Sequence, residues 1–270
     1  MKTGGSYSKE AFSLTADGHR LRAVLIKPLD RCRSPRTPTL VFLHEGLGSI
    51  SMWRTFPADL CVATGCPGFV YERWGHGGSG RLAGSLTPRY LHDEAMKSLP
   101  EVLERFSGTD VILIGHSDGG TIALIYASVH PGRVRGIITE AAHVFVEDVT
   151  VKGIQDAVES YETTGLKEKL AKHHGANTDP MFRRWSDTWL SPEFREWNIE
   201  EYLPDITSPL LVIQGEDDQY GTPAQVKAIT GQVSGPVKGW LVPDCGHIPH
   251  HDARDTVFEE MKRFIIDIRD

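Results

Sequence analysis

Three stretches of the chain carry residue types that together could perform nucleophilic catalysis. The first, Gly115-His116-Ser117-Asp118-Gly119, fits the pattern G-x-S-x-G. A serine hydroxyl is a weak nucleophile until a base takes its proton, and that base needs a third group to hold its tautomer and stabilise its cationic form. Candidates follow in the order Ser…Asp…His: Gly215-Glu216-Asp217-Asp218, then Cys245-Gly246-His247. Either Asp217 or Asp218 could serve as the carboxylate.

The elements around each stretch bear on this reading. Val111 to Ile114 is a continuous apolar run, as expected of a strand covered on both faces. Thr121 to Ser128 reads as an apolar helix closed by Pro131 and Gly132. Strand, sharp turn and helix is the context in which a serine is thrust out of a strained turn. Gly115 and Gly119 leave room for the close backbone approach, and the helix N-terminus adds a positive field suited to a developing oxyanion. Asp217 and Asp218 follow the strand Pro209 to Gln214, and His247 follows the strand Val237 to Val242. In parallel sheets the loops at strand C-termini converge on the ligand.

Taken in order, residues 1 to 9 read as a loose end. Ala11 to Ala16 and Arg20 to Lys27 form a hairpin around Asp17-Gly18 at an antiparallel sheet edge. Asp30 to Pro38 is a solvated loop. Thr39 to Leu43 is a buried strand leading into His44-Glu45-Gly46-Leu47-Gly48-Ser49, and Met52 to Thr64 a helix. Gly68 to Tyr71 is a strand running into Arg73-Trp74-Gly75-His76-Gly77-Gly78-Ser79. Tyr90 to Phe106 is a long helix, and Arg133 to Thr139 a strand. From about 142 to 204 no apolar strand stands out, and helical stretches carry Trp185, Trp189, Trp197 and Tyr202. Pro223 to Gly231 and Ala253 to Ile268 are helices. Strands alternating with helices imply a mostly parallel sheet of about eight strands with helices on both faces.

With 270 residues there is room for one large α/β domain and an insertion. The net charge of −7 argues against nucleic acid or an anionic membrane as main partner. No run is long and apolar enough to span a bilayer, and the N-terminal residues contain no apolar signal region, so a cytoplasmic location is expected. Cys32, Cys61, Cys66 and Cys245 then read as free thiols, with Cys61 and Cys66 lacking the second ligand pair that zinc requires. His173-His174 and His250-His251 read as solvated pairs rather than metal ligands, and His76 as a loop-packing residue. The chemistry needs no metal and no cofactor. The partner is a small-molecule substrate, and the sequence leaves a homodimer open.

The segments HEGLGS (44–49), RWGHGGS (73–79), GHSDG (115–119), GEDD (215–218) and GHIPH (246–250) together resemble the α/β-hydrolase fold family, across nearly the whole chain. The resemblance implies a core of residues 1–141 and 205–270 and a helical cap, or lid, of residues 142–204. It implies Ser117 as nucleophile, His247 as base and acid, and Asp218, three residues after the strand-ending glycine, as the acid, with Asp217 the runner-up. It implies an oxyanion hole from the N–H groups of Asp118 and Gly46, or of Leu47 if that loop bulges. Glu45 stands where the family usually has glycine. A carboxylate there would oppose a developing oxyanion unless paired. Arg73 is the expected partner, and the other reading is a contact with a substrate group. His143 could bind substrate or hold cap backbone, and the tryptophans, Trp185 first, could line the pocket or pack the cap. The implied activity is hydrolysis of a small-molecule carboxylic ester through an acyl-enzyme. The alternatives are C–C bond hydrolysis of a ring-fission diketone acid, enol-lactone hydrolysis, and a non-catalytic receptor or scaffold on the same fold.

Overall fold

The computed structural model describes residues 6–29, 37–83, 87–107 and 109–269. Eight strands form one sheet: β1 (Tyr7–Ala16), β2 (His19–Pro28), β3 (Thr39–Leu43), β4 (Gly68–Tyr71), β5 (Val111–His116), β6 (Val134–Glu140), β7 (Leu210–Gly215) and β8 (Val237–Val242). Their order is β1-β2-β4-β3-β5-β6-β7-β8. β1 and β2 pair antiparallel, β2 lies antiparallel to β4, and every other pairing is parallel. Asp17 and Gly18 both adopt positive φ (47° and 73°), as a two-residue turn matching strand twist requires.

The central strands are buried on both faces, and their side chains alternate between two cores. Val41, Leu43 and Leu113 face one core, with the helix Asp118–Val129. Leu40, Phe42, Ile112 and Ile114 face the other, with the helices Phe56–Thr64 and Arg254–Arg269. Between β6 and β7 the chain adds the helices Asp148–Thr163, Leu166–His174 and Thr178–Trp189 and three short 3₁₀ turns at Gly175–Asn177, Pro192–Phe194 and Glu200–Asp205. No helix among the described residues is long and apolar enough to cross a membrane.

Several expectations shift. β1 begins at Tyr7, so Tyr7 to Lys9 belong to a strand rather than to a loose end, and residues 1–5 lie outside the described ones. The expected loop Asp30 to Pro38 and Cys32 also fall mostly outside them. The helix expected from Met52 begins only at Phe56, because Pro57 fits only the first turn of a helix. The helix Tyr90 to Phe106 contains a π-helical turn, Glu94–Ser98, ahead of Pro100. His250 and His174 are buried (8% and 3% exposed), not solvated. His250 pairs with Glu140 at 2.7 Å. His174 accepts from Gly77 N–H and contacts the Leu47 carbonyl, both at 3.0 Å, pinning two core loops to the inserted helices. His173 is held by Ser51 at 2.7 Å.

Candidate active site

Ser117 sits between β5 and the helix Asp118–Val129 with φ 52° and ψ −117°, a conformation costly for a residue with a Cβ. Its neighbours make the turn possible. A Cβ on Gly115 would lie 2.2 Å from the Gly119 carbonyl oxygen, and one on Gly119 would lie 2.1 Å from that of Leu43. The strain turns Oγ toward His247, whose Nε2 lies 3.0 Å away. On the other side of the imidazole, Nδ1 contacts both oxygens of Asp218 at 2.8 and 2.9 Å. Asp218 also accepts the Tyr220 N–H at 2.8 Å. Burial alone would raise the Asp218 carboxyl, but the charge and hydrogen bond of His247 outweigh it and hold the group below its ordinary range. Asp217 is exposed and has no contact with His247.

These groups open into a cavity of about 210 Å³. Its walls include Glu45, Gly46, Leu47, Asp118, His143 and Trp185, so every expected site residue beyond the three above reaches it. Gly46 and Asp118 have backbone N–H groups with no acceptor among the described residues. His143 is 3% exposed, and its Nε2 lies 3.0 Å from the Tyr220 carbonyl oxygen. Burial, with the neighbouring His247 ring adding to it, pushes its pKa down. Ile154, Leu166, Leu170 and Trp189 add an apolar wall from the inserted helices.

The Glu45 carboxylate is paired, but not with Arg73. Its Oε2 lies 3.4 Å from Nδ1 of His116, whose Nε2 is 2.7 Å from the His247 carbonyl oxygen. Arg73 instead contacts the Asp118 carboxylate at 3.2 Å and donates to the Glu45 backbone oxygen at 2.9 Å. Tyr90 OH donates to the same Asp118 oxygen at 2.9 Å and accepts from Trp189 Nε1 at 2.8 Å. The sequence reading missed His116 and the partners of Asp118. The signal for His116 was strand alternation: Ile112, Ile114 and His116 share one face of β5. The Asp118 partners are distant in sequence and left no local signal.

Among the described residues no group of three or more His, Cys, Asp or Glu side chains could hold a metal ion. Cys61, Cys66 and Cys245 are buried free thiols.

A family model described as the alpha/beta hydrolase fold matches residues 38–200. The chain belongs to this family. It is 26% identical to a proline iminopeptidase of Lactobacillus delbrueckii subsp. bulgaricus over 252 residues, covering 78% of this chain and 83% of that protein. It is 32% identical over 173 residues to a 2-succinyl-6-hydroxy-2,4-cyclohexadiene-1-carboxylate synthase of Klebsiella pneumoniae subsp. pneumoniae, covering 62% of this chain and 59% of that one. The crystal structure of the enol-lactonase from Burkholderia xenovorans LB400 superposes with a TM-score of 0.67 at 19% identity, covering 94% of this chain and 99% of that chain. The protein is therefore a hydrolase of the α/β type, and its relatives differ in the bond they act on.

Proposed function

We propose that the protein hydrolyses a small carboxylic ester through an acyl-enzyme. The observation that carries this is the hydrogen-bonded line Asp218, His247, Ser117 opening into a small, mostly apolar cavity. Asp218 holds Nδ1 protonated, which leaves the Nε2 lone pair facing Ser117 Oγ. His247 takes the serine proton as Oγ attacks the acyl carbon, then returns it to the leaving alcohol. The N–H groups of Gly46 and Asp118 receive the oxyanion. Water, deprotonated by His247, then releases the acid. Residues 142–204 act as the cap, with Leu166, Leu170 and Trp185 covering the acyl or alcohol group.

The cavity wall supports this reading over ring-fission diketone acids. Among the described residues that line it there is no Lys or Arg to meet a substrate carboxylate. A fluorophosphonate probe is expected to label Ser117, and Ser117→Ala to abolish the labelling. Equal labelling of the variant would refute the assignment.

The size of the cavity gives a second expected result. At about 210 Å³ it lies below the usual range for drug-sized ligands, about 300–1,000 Å³. With p-nitrophenyl esters, kcat/KM should therefore drop by more than about tenfold, or ~1.4 kcal/mol, between butyrate and dodecanoate. A rise along that series would show that the cap opens to long chains.

A further inference from the structure

Arg73 follows β4, with its side chain only 4% exposed. Its Nη2 serves two loops at once: it meets the Asp118 carboxylate at 3.2 Å and the Glu45 carbonyl oxygen at 2.9 Å. The second contact matters because that carbonyl belongs to the same peptide unit as the Gly46 N–H. In a planar trans peptide the C=O and N–H point in opposite directions. Whatever fixes the Glu45 oxygen therefore fixes where the Gly46 N–H points.

The Glu45 oxygen is fixed by three donors. Besides Arg73, His44 Nδ1 donates at 2.7 Å and the Gly48 N–H at 3.0 Å. His44 must carry its proton on Nδ1, because its Nε2 accepts the Arg73 backbone N–H at 3.0 Å. Arg73 thus acts on this peptide directly through its side chain and indirectly through its main chain. On the opposite side, the Gly46 N–H has no acceptor among the described residues, and Gly46 lines the cavity with Ser117. A guanidinium bonded to the carbonyl oxygen also draws electron density from the peptide, which makes its N–H a stronger donor. The same cation offsets the Asp118 carboxylate, a buried negative charge on the residue expected to supply the other donor.

We infer that Arg73 is a positioning residue of the oxyanion hole: it orients and polarises the 45–46 peptide so that the Gly46 N–H meets the oxygen on which charge develops, and it neutralises Asp118 beside it. This rests on the acyl-transfer reading given above. It assigns Arg73 no contact with substrate and no proton transfer. A purely structural Arg73–Asp118 pair would stabilise the fold and leave the chemistry of each folded molecule alone. A positioning role slows the steps in which the oxygen gains charge and leaves ground-state binding unchanged.

The test measures kcat and KM for p-nitrophenyl butyrate, and the rate constant for fluorophosphonate labelling of Ser117. The proteins are wild type, Arg73→Lys, Tyr90→Phe and the double variant Arg73→Met/Asp118→Leu, which removes both members of the Arg73–Asp118 pair together. The double variant is expected to lose about 10² in kcat, the lower end for removal of an oxyanion donor. Its KM should stay within about threefold, and its labelling rate should fall in parallel with kcat. Arg73→Lys keeps the charge but not the fork, and should lose about tenfold in kcat. Tyr90→Phe, which loosens Asp118 but leaves Arg73 on the Glu45 oxygen, should lose less than Arg73→Lys does. If the double variant does not fold, Arg73→Lys against Tyr90→Phe decides. Folded Arg73 variants with kcat within about threefold of wild type, or with the loss confined to KM, would overturn the inference while leaving Ser117 as nucleophile. A wild-type protein that the probe does not label would remove the acyl-transfer reading and this inference together.

Discussion

Replacing Asp218 by Asn is expected to lower kcat by about 10⁴, the size of the corresponding change in a serine protease triad. The cause is a tautomer rather than a lost contact. Both Asp218 oxygens approach His247 Nδ1, at 2.8 and 2.9 Å, so a proton belongs on that nitrogen and the Nε2 lone pair is left facing Ser117 Oγ. An Asn amide turned to present its NH₂ group would accept no hydrogen bond from Nδ1–H. The imidazole would then place its proton on Nε2, where it blocks the serine. Asp218 is 8% exposed, so solvent cannot readily take over its role. The neighbouring Asp217 is exposed, and Asp217→Asn should change kcat by less than about threefold. Steady-state kinetics on a p-nitrophenyl ester check both variants. The reverse ranking would move the role to Asp217.

Much of this site was legible in the sequence because it is built from local signals. Thr39–Leu43, Gly68–Tyr71 and Val237–Val242 end where their apolar runs end, and the turns that follow carry the small residues that a reactive loop needs. The start of β1 was not legible. Tyr7 to Glu10 are exposed on an edge strand, so no apolar alternation marks them, and pairing with Leu25 to Pro28 makes them a strand. The ion pairs were illegible for a related reason. Glu45 was expected to seek Arg73, an arginine in one of the loops that carry the site. Instead the carboxylate turns to His116, while Arg73 reaches the Glu45 backbone and Asp118 across the sheet. Which charge meets which depends on side-chain direction at the ends of β3, β4 and β5, and composition says nothing of that. The apolar cavity wall was readable only as a cluster of helices rich in tryptophan. The part played by Ile154, Leu166 and Leu170 depends on how those helices cross the strand ends.

Breaking the Glu45–His116 pair should cost about 3 kcal/mol at pH 6, the lower end for a buried pair left with one partner. The Glu45 side chain retains 18% exposure and His116 only 1%. Burial would raise the Glu45 carboxyl, but the adjacent His116 ring outweighs it and holds the group at about 2 instead of 4.5. Burial would lower His116, but Glu45 beside it and the charge of Glu140 lift it to about 9 from 6.5. The two signs define a window. The Glu45 contribution is present above its unfolded value of 4.5 and is lost as pH falls toward 2. The His116 contribution is complete below 6.5 and is lost as pH rises through 9. The pair therefore stabilises the fold fully between 4.5 and 6.5, and progressively less above that range. Glu45→Gln should lower Tm by roughly 5–10 °C at pH 6, and the gap to wild type should narrow by pH 9.5. Its kcat/KM on simple esters should stay within about tenfold, ~1.4 kcal/mol, since the carboxylate is already turned to His116 rather than to the oxyanion. Thermal melts across that pH range, run beside ester kinetics, decide the matter. A Tm unchanged at pH 6, with a loss confined to one class of substrate, would mean that Glu45 serves a group on the substrate and that His116 is not its main partner.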